Sequence, residues 1–375
     1  MSFCLPPHTA VIRSGDDTSW LLFWKPAAVL RTSHPNEVIT VLQDVQKATA
    51  QGSHAVGFVT YEAGTGLDNA LPMQTPSTEF PLVWFALYEE ADPLAVLPGG
   101  HGAYELDGWH PSVSLKDYCG SIQSIQEAIR CGETYQVNYT IRLRSGFRGD
   151  PFALFQSLYE IQPTPYAAYL NLGRFHVCSL SPELFFSRNN DVLICKPMKG
   201  TAPRGRSPSD DALAAEQLRA SPKNRAENIM IVDMIRNDLG RIAVPGSVRV
   251  DDLFAVERHP TLLQMTSTVR AETRASVAEV FQALFPCASV TGAPKIATTQ
   301  IIRRLEGAPR GVYTGCIGHL TPNGNGRFSV AIRTVLIDQE QHVAEYGTGS
   351  GITCDSNAEE EYAECQLKAA ILHGR

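Results

Sequence analysis

The chain has 375 residues, 43% hydrophobic and 19% charged, with a formal net charge of −7, a globular balance with material for one large core or two smaller ones. Its acidic balance and scattered Lys and Arg exclude a nucleic-acid surface, and no apolar window approaches the length of a membrane span. Nine cysteines, scattered and never spaced as CxxC, exclude a disulfide scaffold or zinc knot and read as reduced thiols of a cytoplasmic protein.

The first seven residues, Met1 to Pro7, lack the basic and apolar regions of a secretion signal. Residues 1–105 read as a smaller N-terminal subdomain. Trp20–Trp24 and His54–Tyr61 are predicted strands, with a helix near Asn36–Thr49 between them, and Leu82–Tyr88 is a continuous apolar run that predicts a buried strand. The Gly- and Pro-rich stretch Pro93–Gly108 reads as the linker to a second region, 112–375, or equally as an interior loop.

From Ser114 the period becomes helical, with Tyr118, Ile122, Ile125 and Ile129 on one face. A strand over Tyr135–Ile141 and a helix over Pro151–Gln162 follow, then strands at Tyr166–Leu172, Phe175–Leu180, Leu184–Ser187 and Val192–Met198. The last of these leads into Lys196–Arg204, which reads as a Pro- and Gly-rich turn carrying Lys199 beside Gly200 and Thr201. Most lysines are solvated surface cations. One desolvated next to Gly-Thr has a lowered pKa and a free amine for nucleophilic or base chemistry.

Ser209 is the expected cap of the next helix. In the helix Asn224–Leu239, Glu227, Met234 and Asp238 fall within about 40° on a helical wheel, beside Ile231. Two carboxylates in an apolar sector need a cation, hydrogen bonds or a metal, and a buried salt bridge satisfies that need as well as a ligand does. Strands are predicted at Val248–Val256 and Leu262–Arg270, and a helix at Val277–Phe285. The turn Val290-Thr291-Gly292-Ala293-Pro294-Lys295 starts another helix, whose free N–H groups suit an anion. Tyr313–Leu320, Arg327–Ile337 and His342–Tyr346 read as antiparallel strands. Gly347-Thr348-Gly349-Ser350-Gly351 matches no nucleotide loop and offers backbone N–H groups to a carboxylate or phosphate. In the last helix, capped by Ser356 and Glu359, Glu361, Glu364 and Lys368 share a face with Cys365 and Leu372.

Paired carboxylates are hard oxygen ligands that suit Mg²⁺, which keeps waters and usually needs a substrate anion to complete its shell. A turn lysine, inward acids on two helices and two backbone anion sites therefore point to a metal-assisted reaction on a small polyanionic acid.

The second region also resembles a known family. Glu133-Thr134-Tyr135-Gln136-Val137-Asn138, Ser181-Pro182-Glu183, Lys199-Gly200-Thr201, the run from Ala226 to Asp238, Val290 to Lys295, Tyr313-Thr314-Gly315, Ala331-Ile332-Arg333, Gly349-Ser350-Gly351 and Glu361-Tyr362-Ala363-Glu364 occur in the order found in the chorismate-utilising enzymes. These include anthranilate, aminodeoxychorismate, isochorismate and salicylate synthases. The resemblance implies an α+β fold of two stacked antiparallel-rich sheets flanked by helices, with the active site between the sheets.

Two positions resemble the aminodeoxychorismate branch. Lysine stands at 199, where anthranilate and isochorismate synthases carry alanine, and glutamine stands at 136, where isochorismate-type enzymes carry a water-activating lysine. The resemblance then implies amination of chorismate to 4-amino-4-deoxychorismate for 4-aminobenzoate and folate, with Lys199 as covalent nucleophile at C2 and Glu183 as general acid. It places Gly200, Thr201, Thr291, Tyr313, Arg333, Gly349, Ser350, Gly351 and Lys368 around the substrate. It assigns Glu227, Glu361 and Glu364 to Mg²⁺, and takes ammonia from a separate glutamine amidotransferase. No glutaminase unit and no room for a lyase after His373 are expected in this chain. Gln264 stands where anthranilate and isochorismate synthases have a histidine, and the role does not pass to His259. Pro163-Thr164-Pro165-Tyr166 partly matches the tryptophan pocket of the inhibited members, while their Leu-Leu-Glu-Ser motif is absent. The alternatives are an anthranilate synthase component I and a chorismate-binding regulatory paralogue without turnover.

Overall fold

The computed structural model of the chain describes residues 5–15, 19–99, 102–258 and 262–373. Its frame is one eleven-stranded and one ten-stranded sheet, and the neighbouring strands in both run antiparallel. Ala10, Ile12, Phe23, Ala168 and Val177 of the first sheet and Val56, Phe58, Trp84 and Ile317 of the second form one apolar cluster, so the sheets face each other across it. Helices Val38–Ala50, Pro222–Gly240 and Val277–Leu284 cover the outer face of the second sheet. Leu115–Arg130, Pro151–Ile161 and Ala358–Lys368 cover the outer face of the first. This is the α+β arrangement of two antiparallel sheets between helices that the resemblance implies.

The elements follow from local chemistry. The Ser114 hydroxyl accepts the Asp117 N–H and starts a helix whose Tyr118, Ile122, Ile125 and Ala128 are buried. Each large apolar side chain removed from water in this way contributes about 1.5–3 kcal/mol. The strand Gln136–Gly149 pairs with Val343–Ile352 from Gly146 opposite Val343 to Val137 opposite Ile352. Its odd positions Val137, Tyr139 and Ile141 pack under the outer helices. Its even positions Gln136, Asn138, Thr140 and Arg142 are polar and buried on the other side. At this end, then, the space between the sheets is polar, and the candidate site lies there.

Several elements differ from the sequence reading. Strands Ala10–Arg13 and Trp20–Phe23 belong to the first sheet, whereas Ala28–Thr32, His54–Val59 and Val83–Tyr88 belong to the second. The change of character near residue 105 therefore marks no gap between layers. Residues 100–101 of the candidate linker lie outside the described residues, as does His259. The run Arg327–Ile337 is two strands: Gly326–Val330 belongs to the second sheet and Thr334–Asp338 to the first, and the chain crosses between them at Arg333, whose φ is +50°. The strand expected over His342–Tyr346 runs on through the Gly-rich segment 347–351 to Ile352. The helix expected to start at Ser209 starts earlier, capped by the Ser207 hydroxyl with Pro208 in its first turn. The last helix is capped by Asn357, which leaves the Ser356 hydroxyl to donate to Glu361 (2.8 Å). Among the described residues no helix is long and apolar enough to cross a membrane.

Candidate active site

Lys199 sits not in a turn but in the edge strand Met198–Pro203 of the second sheet. Opposite Leu262–Glu272, Met198 faces Thr266 and Thr201 faces Gln264, so Lys199 and Gly200 together oppose Met265 alone. That is a β-bulge, a device that re-aims a side chain. Gly200 takes φ +86°, and a Cβ there would stand 2.9 Å from Asn224 Cγ. The edge position also tolerates Pro203, so the Pro and Gly that suggested a turn are compatible with strand.

The bulge aims Lys199 across the gap at the first sheet. Its Nζ comes within 3.1 Å of the place a Cβ on Gly351 would take, and the Gln136 carboxamide fills the rest of that space. Both polar atoms of that carboxamide are buried without a hydrogen-bond partner among the described residues. Burial lowers the Lys199 pKa; Glu227, Glu183 and Glu364 oppose the shift, while Lys368 adds to it. Glu183 is buried, and its pKa is pushed up to about 7 by desolvation, against the pull of Ser289, Lys199 and the Met198 N–H. Its Oε1 has no hydrogen-bond partner among the described residues. The structure thus sets an amine held toward neutrality beside a carboxyl held toward protonation, the combination needed for nucleophilic attack with acid assistance to a leaving group.

The opposite wall is built on glycine. Gly347 lies so close beneath the Tyr313 ring that any Cβ would strike it, and the Arg142 guanidinium carbon stands 5.2 Å from that ring's centroid. The Arg333 guanidinium is half-buried near Tyr346, at the crossing between the two sheets, and has no ion pair or hydrogen bond among the described residues. Pairing of Val343–Ile352 with Thr334–Asp338 stops at Tyr346, so the backbone edge over 347–351 is not covered by that strand. Lys368 reaches this edge, donating to the Gly349 carbonyl (2.8 Å) while pairing with Glu364 (2.6 Å).

Three substrate-binding expectations meet a different geometry. Ser350 points to the outer face, its hydroxyl 3.4 Å from that of Tyr118, so only its backbone borders the gap. Thr291 is fully buried and its hydroxyl donates to the Cys287 carbonyl (2.9 Å), which makes it part of the support beneath the site. The Thr201 hydroxyl is committed to Gln264 (3.0 Å).

Of the expected metal ligands, Glu227 and Glu364 border the gap, and the three close no cage. Glu227 and Glu364 are both close enough to act on the Lys199 charge, and Glu361 is buried with Ser356 as donor. Among the described residues no three His, Cys, Asp or Glu side chains form a ready-made metal site. The donor chemistry suits a hard cation that takes its remaining oxygens from substrate and water. Asp238, the other inward acid of the Glu227 helix, is a salt bridge instead: Lys295 donates to it (2.7 Å) and to the Leu284 carbonyl (2.9 Å).

Sequence reasoning missed the polar base of the site. Arg310 donates to both oxygens of Glu306 (2.9 and 2.6 Å) and to the carbonyls of Val290 and Asn138. Glu306 also accepts the Thr140 N–H (2.9 Å), and Glu62 accepts the N–H groups of Arg310 and Gly311. This fully satisfied network ties the strand of Gln136 to the loops of Thr291 and Tyr313. The period-two polar run Gln136, Asn138, Thr140, Arg142 was the available signal.

Comparison with known proteins assigns this frame. Residues 98–374 match the model of the chorismate binding enzyme family. The chain is a chorismate binding enzyme. It is 36% identical over 367 residues to an aminodeoxychorismate synthase of Streptomyces griseus, covering 97% of this chain and 47% of the relative. It is 40% identical over 268 residues to aminodeoxychorismate synthase component 1 of Klebsiella aerogenes, covering 71% and 59% respectively. The chain therefore spans less than two thirds of the length of either relative. Its fold superposes on anthranilate synthase component I from Streptococcus pneumoniae with a TM-score of 0.79 at 23% identity, over 99% of this chain and 93% of that one. The gap between the sheets, with Lys199 on one side and Gly351 on the other, is where this chorismate binding enzyme has its candidate active site.

Proposed function

We propose that the chain aminates chorismate to 4-amino-4-deoxychorismate, as a component of an aminodeoxychorismate synthase. The observation that carries the reading is the bulge that points the Lys199 amine at the Gly351 and Gln136 wall, with Glu183 beside it. In the proposed reaction the neutral Lys199 amine bonds to C2 of the ring. The two ring double bonds shift, the C4–O bond breaks, and Glu183 gives its proton to the departing hydroxyl, which leaves as water. Ammonia then bonds at C4, the double bonds shift back, and the C2–N bond to Lys199 breaks. Arg333 and Tyr313, with the backbone of 349–351, hold the enolpyruvyl carboxylate, and the Gln136 carboxamide borders the ring on the amine's side.

Glu227 and Glu364, with Glu361 behind, would hold Mg²⁺. When bound, the ion supplies charge neutralisation and orientation for the ring carboxylate. The names of the relatives support the reading, and the designation component 1 supports a second component. A separate glutamine amidotransferase fits that place as the ammonia source, and a cytoplasmic setting fits the unpaired thiols of the described cysteines.

The test is incubation of the purified chain with chorismate, Mg²⁺ and ammonium, followed by a separate aminodeoxychorismate lyase. Formation of 4-aminobenzoate only after the lyase is added is the expected result. Fluorescent anthranilate and pyruvate without lyase would replace this reading with the anthranilate one.

A further inference from the structure

We infer that Gln264 is the positioning residue for Lys199: its carboxamide locks the bulge that aims the amine. The inference rests on the reading of Lys199 as the reacting group. Gln264 is buried, and its Nε2 donates to the Gly200 carbonyl (2.8 Å) while its Oε1 accepts the Thr201 hydroxyl (3.0 Å). The orientation of the amide is fixed by chemistry, because a carbonyl can only accept. Both contacts fall on the bulge or its far shoulder. Register on the Met198 side is held by Thr266 and on the Thr201 side by Gln264.

A bulge at a sheet edge has no second strand to stiffen it, and Gly200 at φ +86° has more conformational freedom than any other residue type. The two side-chain bonds supply the restraint that the ladder omits at this point. A histidine here could donate to Gly200 and accept from Thr201 at once only in one neutral ring tautomer, and from more widely separated atoms. The glutamine spans both partners with adjacent atoms of one plane.

The test compares the full-length chain with Gln264→Leu and Gln264→Glu. Lys199 reactivity is read as its rate of acylation by a small neutral activated ester, whose alcohol leaves as the amide forms, located by peptide mass spectrometry. The exposed Lys47 in the same digest is the internal reference. Gln264→Leu is expected to change the Lys199 rate at least about fivefold at constant Lys47 rate. It should also lower kcat about 10–100-fold with KM for chorismate within about threefold, the signature of misplacement without lost binding.

Gln264→Glu keeps the acceptor for Thr201 and loses the donor to Gly200. Its defect is expected to shrink as pH falls and the introduced carboxyl regains an O–H to give the Gly200 carbonyl. Glu257, directly across on the neighbouring strand, is ion-paired with Lys196, so these two opposite charges offset each other and the recovery follows the introduced carboxyl itself. Wild-type Lys199 reactivity and kcat in a folded Gln264→Leu would overturn the inference. Should that variant not fold, a Gln264→Glu defect independent of pH overturns it equally. If the wild type aminates no chorismate while Lys199 reactivity still follows position 264, the reaction reading fails and the clamp stands.

Discussion

Glu183→Gln separates stability from activity at this site. The Glu183 carboxyl is buried and its pKa moves from 4.5 to about 7, with desolvation the largest cause. A raised carboxyl pKa means that the folded state resists the charged form. Below pH 4.5 the group is protonated whether folded or not, and it contributes no penalty. Between 4.5 and 7 the penalty grows by about 1.4 kcal/mol per pH unit, and above 7 it levels off near about 3 kcal/mol. Glutamine has the same shape and no charge, so it removes the penalty and leaves only the unpartnered terminal atom that Glu183 already has. The variant should be about 3 kcal/mol more stable than wild type at pH 8 and equal to it near pH 4, measured by urea unfolding at both values. The same change removes the proton donor for the C4 hydroxyl, so amination should fall about 10²–10⁴-fold. A variant no more stable than wild type at pH 8, or one that keeps its turnover, would refute the assignment of Glu183 as a carboxyl kept protonated for use.

Lys199→Ala should lower amination on the order of 10³-fold or more, while chorismate and Mg²⁺ still bind with a Kd within a few-fold by calorimetry. Gly351→Ala places a methyl against the Gln136 carboxamide and 3.1 Å from Lys199 Nζ. It should cost about 10–100-fold in kcat with an unchanged circular-dichroism spectrum, checked by steady-state kinetics. Lys295→Met leaves Asp238 buried and unpaired and should destabilise the fold by about 3–5 kcal/mol in urea unfolding. Asp238→Asn combined with Lys295→Met should recover most of that loss, and the kinetic constants per folded molecule should stay near wild type.

What the sequence disclosed about this site depended on whether a residue's role is local. The helix from Leu115 was legible because Ser114 and the spacing of Tyr118, Ile122 and Ile125 act within one segment. Lys199 was legible through its neighbours Gly200 and Thr201. Its setting was not, since a bulge is a relation between two strands: Gly200 reads as a turn until Met265 is known to oppose it. The Gly347–Gly351 segment was not legible as strand for a related reason. Glycines at alternate positions look like a flexible loop, yet here they are the inward positions of a strand, kept small so that Tyr313 from its loop and Lys199 from the other sheet can approach. Ser350 follows from the same parity, since the residue between two inward glycines must face outward. On the Glu227 helix, inward position alone could not separate a ligand from a salt bridge. The partner decided it: Lys295, from a different helix, claims Asp238, while Glu227 is left facing the Lys199 amine. Residues whose function is to hold others, Gln264 at the bulge and Arg310 with Glu306 beneath Tyr313, have no local mark of their own. They become visible only when the two strands or loops they join are seen side by side.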